Sequence, residues 1–203
     1  MAANGSRREA ILEAMIRVVG REGYAATSVA DVLAEAGSSR ATFYKHFDDK
    51  HDCFLAALQV AELRILRAAK SACDEGAGWE ERACRGLTAI VDLFLADPAL
   101  ARAVLAEAAT AGAGARQRYW QAAGQLARLL EEQGPSPRRD ELPSSTGLMA
   151  VAAVAGLIFD ELKAGREADL GQLLPELEFA LLVPYLGPRA AADACDPLAS
   201  ASR

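Results

Sequence analysis

The residues best suited to chemistry lie in the stretch SSRATFYKHFDDK, residues 38–50. It places an arginine, two lysines, a histidine and several hydroxyl side chains within about three helical turns. Arg, Lys and Thr side chains can hydrogen-bond to base edges in a major groove, and hydroxyl, imidazole and ammonium groups can bind phosphate. The chemistry that these residue types could do together is recognition of DNA.

The helical periodicity of this stretch separates apolar from polar residues. On a helix from Arg40 to about Phe47, Phe43 and Phe47 share one face, because they are four residues apart. The other face carries Ala41, Thr42 and Lys45, with Tyr44 on the flank near Arg40. The small and cationic side chains would permit close approach to a groove while the two rings pack inward.

The flanking sequence predicts the helices that position this stretch. Apolar residues at helical spacing predict a first helix, which closes at residues 20–23, and a short second helix that begins after Thr27 and Ser28 and ends at Gly37. Ser38 and Ser39 can cap the third helix, and Asp48 and Asp49 can cap a fourth. A short helix, a turn and a second short helix form the helix-turn-helix arrangement, in which the second helix reads DNA.

Composition indicates an all-α fold. The 203 residues are 52% hydrophobic, rich in Ala and Leu, and poor in β-branched runs. Helical patterns continue to about residue 186, interrupted at Asp97-Pro98 and at residues 111–114, 134–145 and 165–171. The last two helices are predicted at about 145–164 and 170–186, and residues 188–203 are predicted to be a disordered tail.

Charge and hydropathy limit the possible partners and locations. Residues 1–50 hold seven Lys or Arg and seven Asp or Glu, so the net charge of −6 belongs to the remainder of the chain. A net-acidic chain binds nucleic acid poorly without a docked motif. The longest apolar run, Gly147 to Phe159, is too short to span a bilayer, and the start of the chain lacks a signal-peptide pattern. We therefore expect a cytoplasmic protein without a membrane partner.

Cysteine usage and motifs give no indication of a cofactor. Cys53, Cys73, Cys84 and Cys195 lack C-x-x-C pairing and histidines at metal-ligand spacing, so we expect inert thiols, with a redox sensor as the alternative. The sequence contains no nucleophile elbow, no zinc-protease motif and no phosphate-binding loop. We expect no catalytic residues, no metal and no cofactor, and the protein is not expected to be an enzyme.

The run TSVADVLAEAGSSRATFYKHFDDKHDCFLAAL resembles the DNA-binding module of the TetR family of transcriptional regulators. The matching parts are Thr27-Ser28-Val29, Ala36-Gly37, Ser39-Arg40, Thr42-Phe43-Tyr44, and His46-Phe47 followed by acids and Lys50. The resemblance implies base contacts at Arg40, Ala41 and Thr42. It implies phosphate contacts at Thr27, Ser39, Tyr44, His46 and Lys50, to which we add Lys45 of the cationic face. Many family members have Gly where this chain has Ala41, whose methyl group limits approach to the groove or contacts a thymine methyl.

The same resemblance implies a domain organisation. Residues 1–51 would form the helix-turn-helix domain, with a short flexible arm at 1–7, and residues 52–187 a helical effector-binding and dimerisation domain. Arg7 and Arg8 either reach a minor groove or lie solvated at the start of the first helix. The last two helices are apolar on nearly every side, which favours a homodimer over burial as internal core helices. A two-fold dimer predicts a palindromic operator.

Apolar residues of the middle helices are candidates for an effector pocket. They are Trp79, Phe94, Leu105, Trp120, Met149 and Phe159, and such a lining suits a hydrophobic or aromatic small molecule. The alternative for each is ordinary core packing.

The expected function is a sequence-specific, ligand-responsive DNA-binding regulator, which by the family's usual behaviour represses transcription. The alternative is a helical adaptor that retains the helix-turn-helix only as a scaffold. A scaffold would need only Phe43, Phe47 and the apolar face of the second helix. The additional residues that favour DNA binding are Thr27, Arg40, Thr42, Tyr44 and Lys50.

Overall fold

The computed structural model describes residues 2–72, 78–132 and 142–195, with side chains from Ser6 onward. Across these ranges the regular structure is entirely helical, as the composition predicts. The α-helices are α1 Ala2–Glu22, α2 Val29–Ala36, α3 Arg40–Tyr44, α4 Lys50–Ser71, α5 Trp79–Ala96, α6 Pro98–Arg102, α7 Ala113–Glu132, α8 Thr146–Lys163, α9 Leu174–Leu186 and α10 Pro188–Ala194. A π-helical turn, Ala103–Glu107, follows α6, and a 3-10 turn, Glu167–Asp169, precedes α9.

Helix α1 begins earlier than the sequence predicts, and it ends within the predicted range, residues 20–23. It begins at Ala2, so residues expected to form a flexible arm are helical, and it passes through Gly20 to end at Glu22. Gly20 lies where α1 crosses α6, and a Cβ there would overlap the backbone carbonyl of Ala99. Gly20 therefore serves close packing between helices, and Gly23, with φ +84°, is the residue that the turn requires.

The described chain divides into two compact units that are discontinuous in sequence. One comprises Met1–Arg64 and Asp97–Trp120, and the other comprises Ile65–Ala96 and Gln121–Arg203. The predicted domain boundary at residue 51 falls within α4, which extends to Ser71. In the first unit, α1 packs against α2, α6 and the π-helical turn, and its buried residues include Ile11, Met15, Val18 and Val19.

In the second unit, α9 packs against α5, α8 and α10. Helix α8 begins one residue after the predicted start, but α9 begins at Leu174 rather than 170, because the chain first forms the 3-10 turn and α9 then starts with Pro175 in its first turn. Residues 188–194, predicted as disordered, form α10. Pro188 in its first turn and burial of Ala191 support this short helix.

Part of the predicted loop between α7 and α8, residues 133–141, lies outside the described residues, as do Cys73 and the tail from residue 196. Over the described helices, none combines the length and the apolar character needed to cross a membrane.

Candidate DNA-binding surface

The ends of α2 are fixed by local side-chain and backbone bonds. The Ser28 hydroxyl accepts a hydrogen bond from the Asp31 backbone N–H, and the Asp31 carboxylate accepts one from the Ser28 N–H at 2.8 Å. The Ser28 hydroxyl also donates to the Asp31 carboxylate at 2.6 Å, and this bond, together with the one from the Ser28 N–H, holds the pKa of Asp31 below its usual value. Gly37 ends the helix in a left-handed conformation, φ +58°. A reciprocal cap at one end and a glycine at the other explain why the sequence predicts this helix correctly.

Helix α3 is anchored by its aromatic face and exposes its polar face. Phe43 is fully buried, and its ring lies 5.4 Å from that of Phe47. Arg40 and Ala41 are exposed, and Thr42 is half-buried. The Ser39 hydroxyl accepts a hydrogen bond from the Thr42 N–H and lies 3.0 Å from the Thr42 hydroxyl. The three residues predicted to contact bases therefore lie on α3 away from the face that buries Phe43.

The structure ends α3 at Tyr44, three residues earlier than predicted. The N–H groups of His46 and Phe47 both donate to the carbonyl of Phe43, each at 2.9 Å, and draw the chain into a turn. Lys45 and His46 therefore lie in this turn, with Lys45 exposed. The early end follows from burial of Phe47 immediately before the aspartates that open α4.

Two of the residues predicted to bind phosphate make hydrogen bonds that hold the α1–α2 loop, residues 23–28. The Lys50 ammonium donates to the carbonyls of Tyr24 and Thr27, each at 2.8 Å, and lies 4.3 Å from the centroid of the Tyr24 ring. The Thr27 hydroxyl donates to the Gly23 carbonyl, and the Thr27 residue is only 2% exposed. In this arrangement both side chains fix the backbone that leads into α2.

The remaining predicted phosphate contacts differ in accessibility. Tyr44 is 56% exposed, with its ring set edge-on to Phe43. The Nε2 atom of His46 is buried and makes no hydrogen bond within the described part of the chain, so a phosphate could be reached only through Nδ1. The guanidinium of Arg8 lies 5.4 Å from the Phe47 ring centroid, which holds that arginine against the helix-turn-helix.

Two acidic residues, Glu107 and Glu35, support this surface, and neither of them was identified from the sequence. Glu107 accepts a hydrogen bond from the Tyr24 N–H at 2.8 Å. Glu35 joins α2 to α1 by accepting from Arg17 at 2.8 Å and from Arg21 at 3.4 Å, and the bond from Arg17 holds the pKa of Glu35 below its usual value. Glu107 and Tyr24 are 83 residues apart, so no local pattern could have linked them.

The candidate effector residues are distributed over both compact units. Leu105 and Trp120 belong to the first unit, and Trp79, Phe94, Met149 and Phe159 to the second. The Trp79 indole N–H donates to the Leu130 carbonyl, and its ring lies 5.1 Å from that of Tyr185. Phe94 is buried, Leu105 and Phe159 are half-buried, and Trp120 and Met149 are 49% and 54% exposed.

The three described thiols, those of Cys53, Cys84 and Cys195, all have a pKa above the usual value. Burial raises the pKa of Cys53 and of Cys84 to about 12, so the thiolate form of either is scarce at neutral pH. Across the described ranges, no three His, Cys, Asp or Glu side chains come together in a way that could hold a metal ion.

Comparison with known proteins identifies the N-terminal module. Residues 11–57 match the family model described as bacterial regulatory proteins, tetR family. A 53-residue segment is 34% identical to the uncharacterized HTH-type transcriptional regulator YerO of Bacillus subtilis (strain 168). That match spans 26% of this chain and 18% of YerO, so it concerns the DNA-binding module alone.

Solved structures extend the similarity to the fold of most of the chain. The fatty acid degradation regulator FadR from Bacillus halodurans matches with a TM-score of 0.75 at 20% identity, over 87% of this chain and 94% of that one. FadR from Bacillus subtilis, solved in complex with stearoyl-CoA, matches with a TM-score of 0.61 at 18% identity, over 88% and 98%. Residues 11–57 therefore match the N-terminal module of the tetR family of bacterial regulatory proteins, and most of the chain shares the helical fold of these solved regulators.

Proposed function

We propose that this protein is a sequence-specific DNA-binding transcriptional regulator that represses its targets by binding a palindromic operator as a homodimer. The observation that carries the proposal is the division of α3 into a buried aromatic face, anchored by Phe43, and an exposed face with Arg40 and Ala41. A helix that only stabilised the fold would need the first face and not the second.

Within this proposal, Arg40, Ala41 and Thr42 contact base edges. The proposed phosphate contacts come from the two ends of α3 and from the turn after it. They are Ser39, Tyr44, Lys45 and His46. For Thr27 and Lys50, whose side chains bind loop carbonyls, the contribution comes through the loop and the start of α2 that they hold. Phosphate contacts set affinity at every sequence, whereas base contacts set specificity.

The homodimer is proposed to form through α8 and α9. Met149, Ala153 and Gly156 are exposed on α8 and recur at intervals of four and three residues, so they share one face. Phe179 of α9 is also exposed. Small residues beside exposed apolar ones permit close approach of helices from a second copy.

The effector is proposed to be a hydrophobic small molecule. The half-buried Leu105 and Phe159 and the exposed Trp120 and Met149 provide apolar surface in the helices after the DNA-binding module. Because FadR from Bacillus subtilis was solved with stearoyl-CoA, long-chain acyl-CoA is the first ligand to test. The effector would act by favouring one separation of the two recognition helices over another.

The experiment is selection of bound sequences from a pool of random duplex DNA at near-physiological salt. We expect recovery of an inverted repeat. On that operator, Arg40→Ala should lose about 1–3 kcal/mol of binding free energy and relax specificity at one position of each half-site. The matched control, Lys45→Ala, should weaken binding at all sequences alike and reduce the salt slope by about one.

The outcomes separate the regulator from the adaptor. Recovery of motif-free DNA, or of no DNA with and without acyl-CoA, would contradict sequence-specific binding and favour the adaptor. If Arg40→Ala retained full operator affinity and specificity, α3 would not be the recognition helix.

A further inference from the structure

We propose that Glu107, the last residue of the π-helical turn, is a positioning residue for DNA binding that holds the α1–α2 loop. The inference rests on the proposed function and adds a residue outside the matched DNA-binding module. Its basis is a set of hydrogen bonds that fix this loop from two sides, one on α4 and one on the π-helical turn.

The first side is Lys50 of α4. Its ammonium donates to the carbonyls of Tyr24 and Thr27, which are the acceptors at either end of the loop. The Tyr24 ring packs on Phe54 of α4 at 4.8 Å between centroids, and its hydroxyl lies 3.3 Å from Nδ1 of His51. The side chain of Tyr24 and the carbonyls of Tyr24 and Thr27 are therefore all bound to α4.

The second side is Glu107. Its Oε2 atom accepts a hydrogen bond from the Tyr24 N–H at 2.8 Å. Tyr24 is thus held by its carbonyl, through Lys50, and by its amide, through Glu107. A hydrogen bond from an amide to a carboxylate is charge-assisted and stronger than one between neutral groups. The loop then leads through Thr27 to Ser28, which caps α2.

The π-helical turn determines where the Glu107 carboxylate lies. The Ala108 N–H bonds to the carbonyl of Ala103 at 3.0 Å, an i to i+5 bond that inserts one extra residue into the turn. In a regular α-helix each residue advances by about 100°. Restoring α-helical pairing would therefore turn Glu107 away from Tyr24, so the state of this turn governs the hydrogen bond.

A general charge effect and the proposed positioning role predict opposite changes in DNA affinity when the Glu107 carboxylate is removed. Loss of a negative charge should slightly strengthen binding to DNA, because the protein becomes less acidic. Loss of the bond to Tyr24 should weaken binding, because the loop and the start of α2 become less ordered. The sign of the change therefore distinguishes a positioning role from a general charge effect.

The test compares Glu107→Ala with Asp92→Ala, which removes the same charge from an exposed site on α5. Each purified full-length variant is measured for operator binding and, without DNA, for residue-resolved amide hydrogen exchange by NMR. We expect Glu107→Ala to raise the exchange rate of the Tyr24 amide at least about ten-fold and to weaken operator binding about ten-fold. Asp92→Ala should leave the exchange rate unchanged and bind the operator as tightly as the wild type or slightly more so.

Glu107→Gln provides a second variant that retains an amide oxygen as acceptor. It should give exchange and binding values between those of the wild type and Glu107→Ala. Unchanged exchange at Tyr24 in Glu107→Ala would overturn the proposal, as would increased exchange with unchanged or tighter operator binding. If the wild type selects no operator, the proposed function fails, while the exchange result still decides whether Glu107 holds the loop.

Discussion

The ammonium group of Lys50 makes bonds within the protein that stabilise the fold. It does so at a position where the resemblance to the TetR module implies contact with DNA. It satisfies two loop carbonyls and lies over an aromatic ring. Hydrogen bonds that involve a charged group contribute more to stability than neutral ones, and a partner left without its donor adds a desolvation cost. Lys50 should therefore contribute to folding as well as to binding.

Replacing Lys50 with Met tests this contribution, since Met keeps a long side chain but removes the donors. We expect the free energy of unfolding to fall by about 2 kcal/mol, because the carbonyls of Tyr24 and Thr27 lose their partner. Urea denaturation monitored by circular dichroism measures the change. The matched control, Lys45→Met at an exposed position, should change stability by less than about 0.5 kcal/mol. Equal stability of the two variants would show that the loop bonds contribute nothing to folding.

The predictability of individual residues depends on how local their interactions are. The cap between Ser28 and Asp31 spans three residues, and the pair of rings at Phe43 and Phe47 spans four, so both follow from spacing. The inward bonds of Thr27 and Lys50 could not be predicted, because they depend on where a loop carbonyl lies in space. The partial burial of His46 likewise follows from the turn after α3 and not from its residue type.

At the scale of elements, the close crossing of α1 and α6 depends on the absence of a side chain at Gly20. An alanine in the interior of an exposed helix is ordinarily favourable by roughly 0.5–1 kcal/mol relative to glycine. At Gly20 this gain is outweighed, because the added Cβ overlaps the Ala99 backbone, which can move only with α6 itself.

We therefore expect Gly20→Ala to lower the free energy of unfolding by about 2 kcal/mol or more, as overpacking does. Gly124→Ala, in α7, should raise it by up to about 1 kcal/mol, because the nearest atom to the new Cβ is Nη1 of the flexible Arg128 side chain, 3.8 Å away. Thermal and urea unfolding of both variants check the opposite signs. A stabilising Gly20→Ala would show that α1 and α6 do not approach this closely.

Element types were predicted better than element ends. Among the described residues, the helices are interrupted at Asp97-Pro98, near residues 111–114 and at 165–171, as the sequence predicts, and Asp97 caps α6 through the Leu100 N–H. The π-helical turn has the sequence AVLAE, which is indistinguishable from an ordinary helical segment, so it could not be predicted. The role of Gly20 in close packing could not be predicted, because its packing partner, Ala99, lies far along the chain.

At the scale of the whole molecule, the exposed apolar face of α8 determines the expected assembly. Ala153 lies in the middle of the face formed with Met149 and Gly156. A charge placed there would be desolvated on association of two copies without a partner, which is costly.

We expect Ala153→Glu to convert the homodimer to a monomer and to abolish high-affinity operator binding, because each half-site is then bound singly. Light scattering after size exclusion should report a mass near twice 21.4 kDa for the wild type and near 21.4 kDa for the variant. Gln117→Glu, an equal charge change at an exposed position of α7, should leave the mass unchanged. A monomeric wild type would contradict assembly through this face.

The discontinuous first unit has a practical consequence for exchanging parts between related regulators. Residues 97–120 complete the unit that contains the helix-turn-helix, and α6 covers α1 through the close contact at Gly20. An N-terminal fragment that stopped near residue 51 would leave that face of α1 open and Tyr24 without Glu107. A working chimera should therefore transplant two segments, about 1–64 and 97–120. The helix-turn-helix would then keep the α6 residues and the Glu107 carboxylate that pack against it in its own protein.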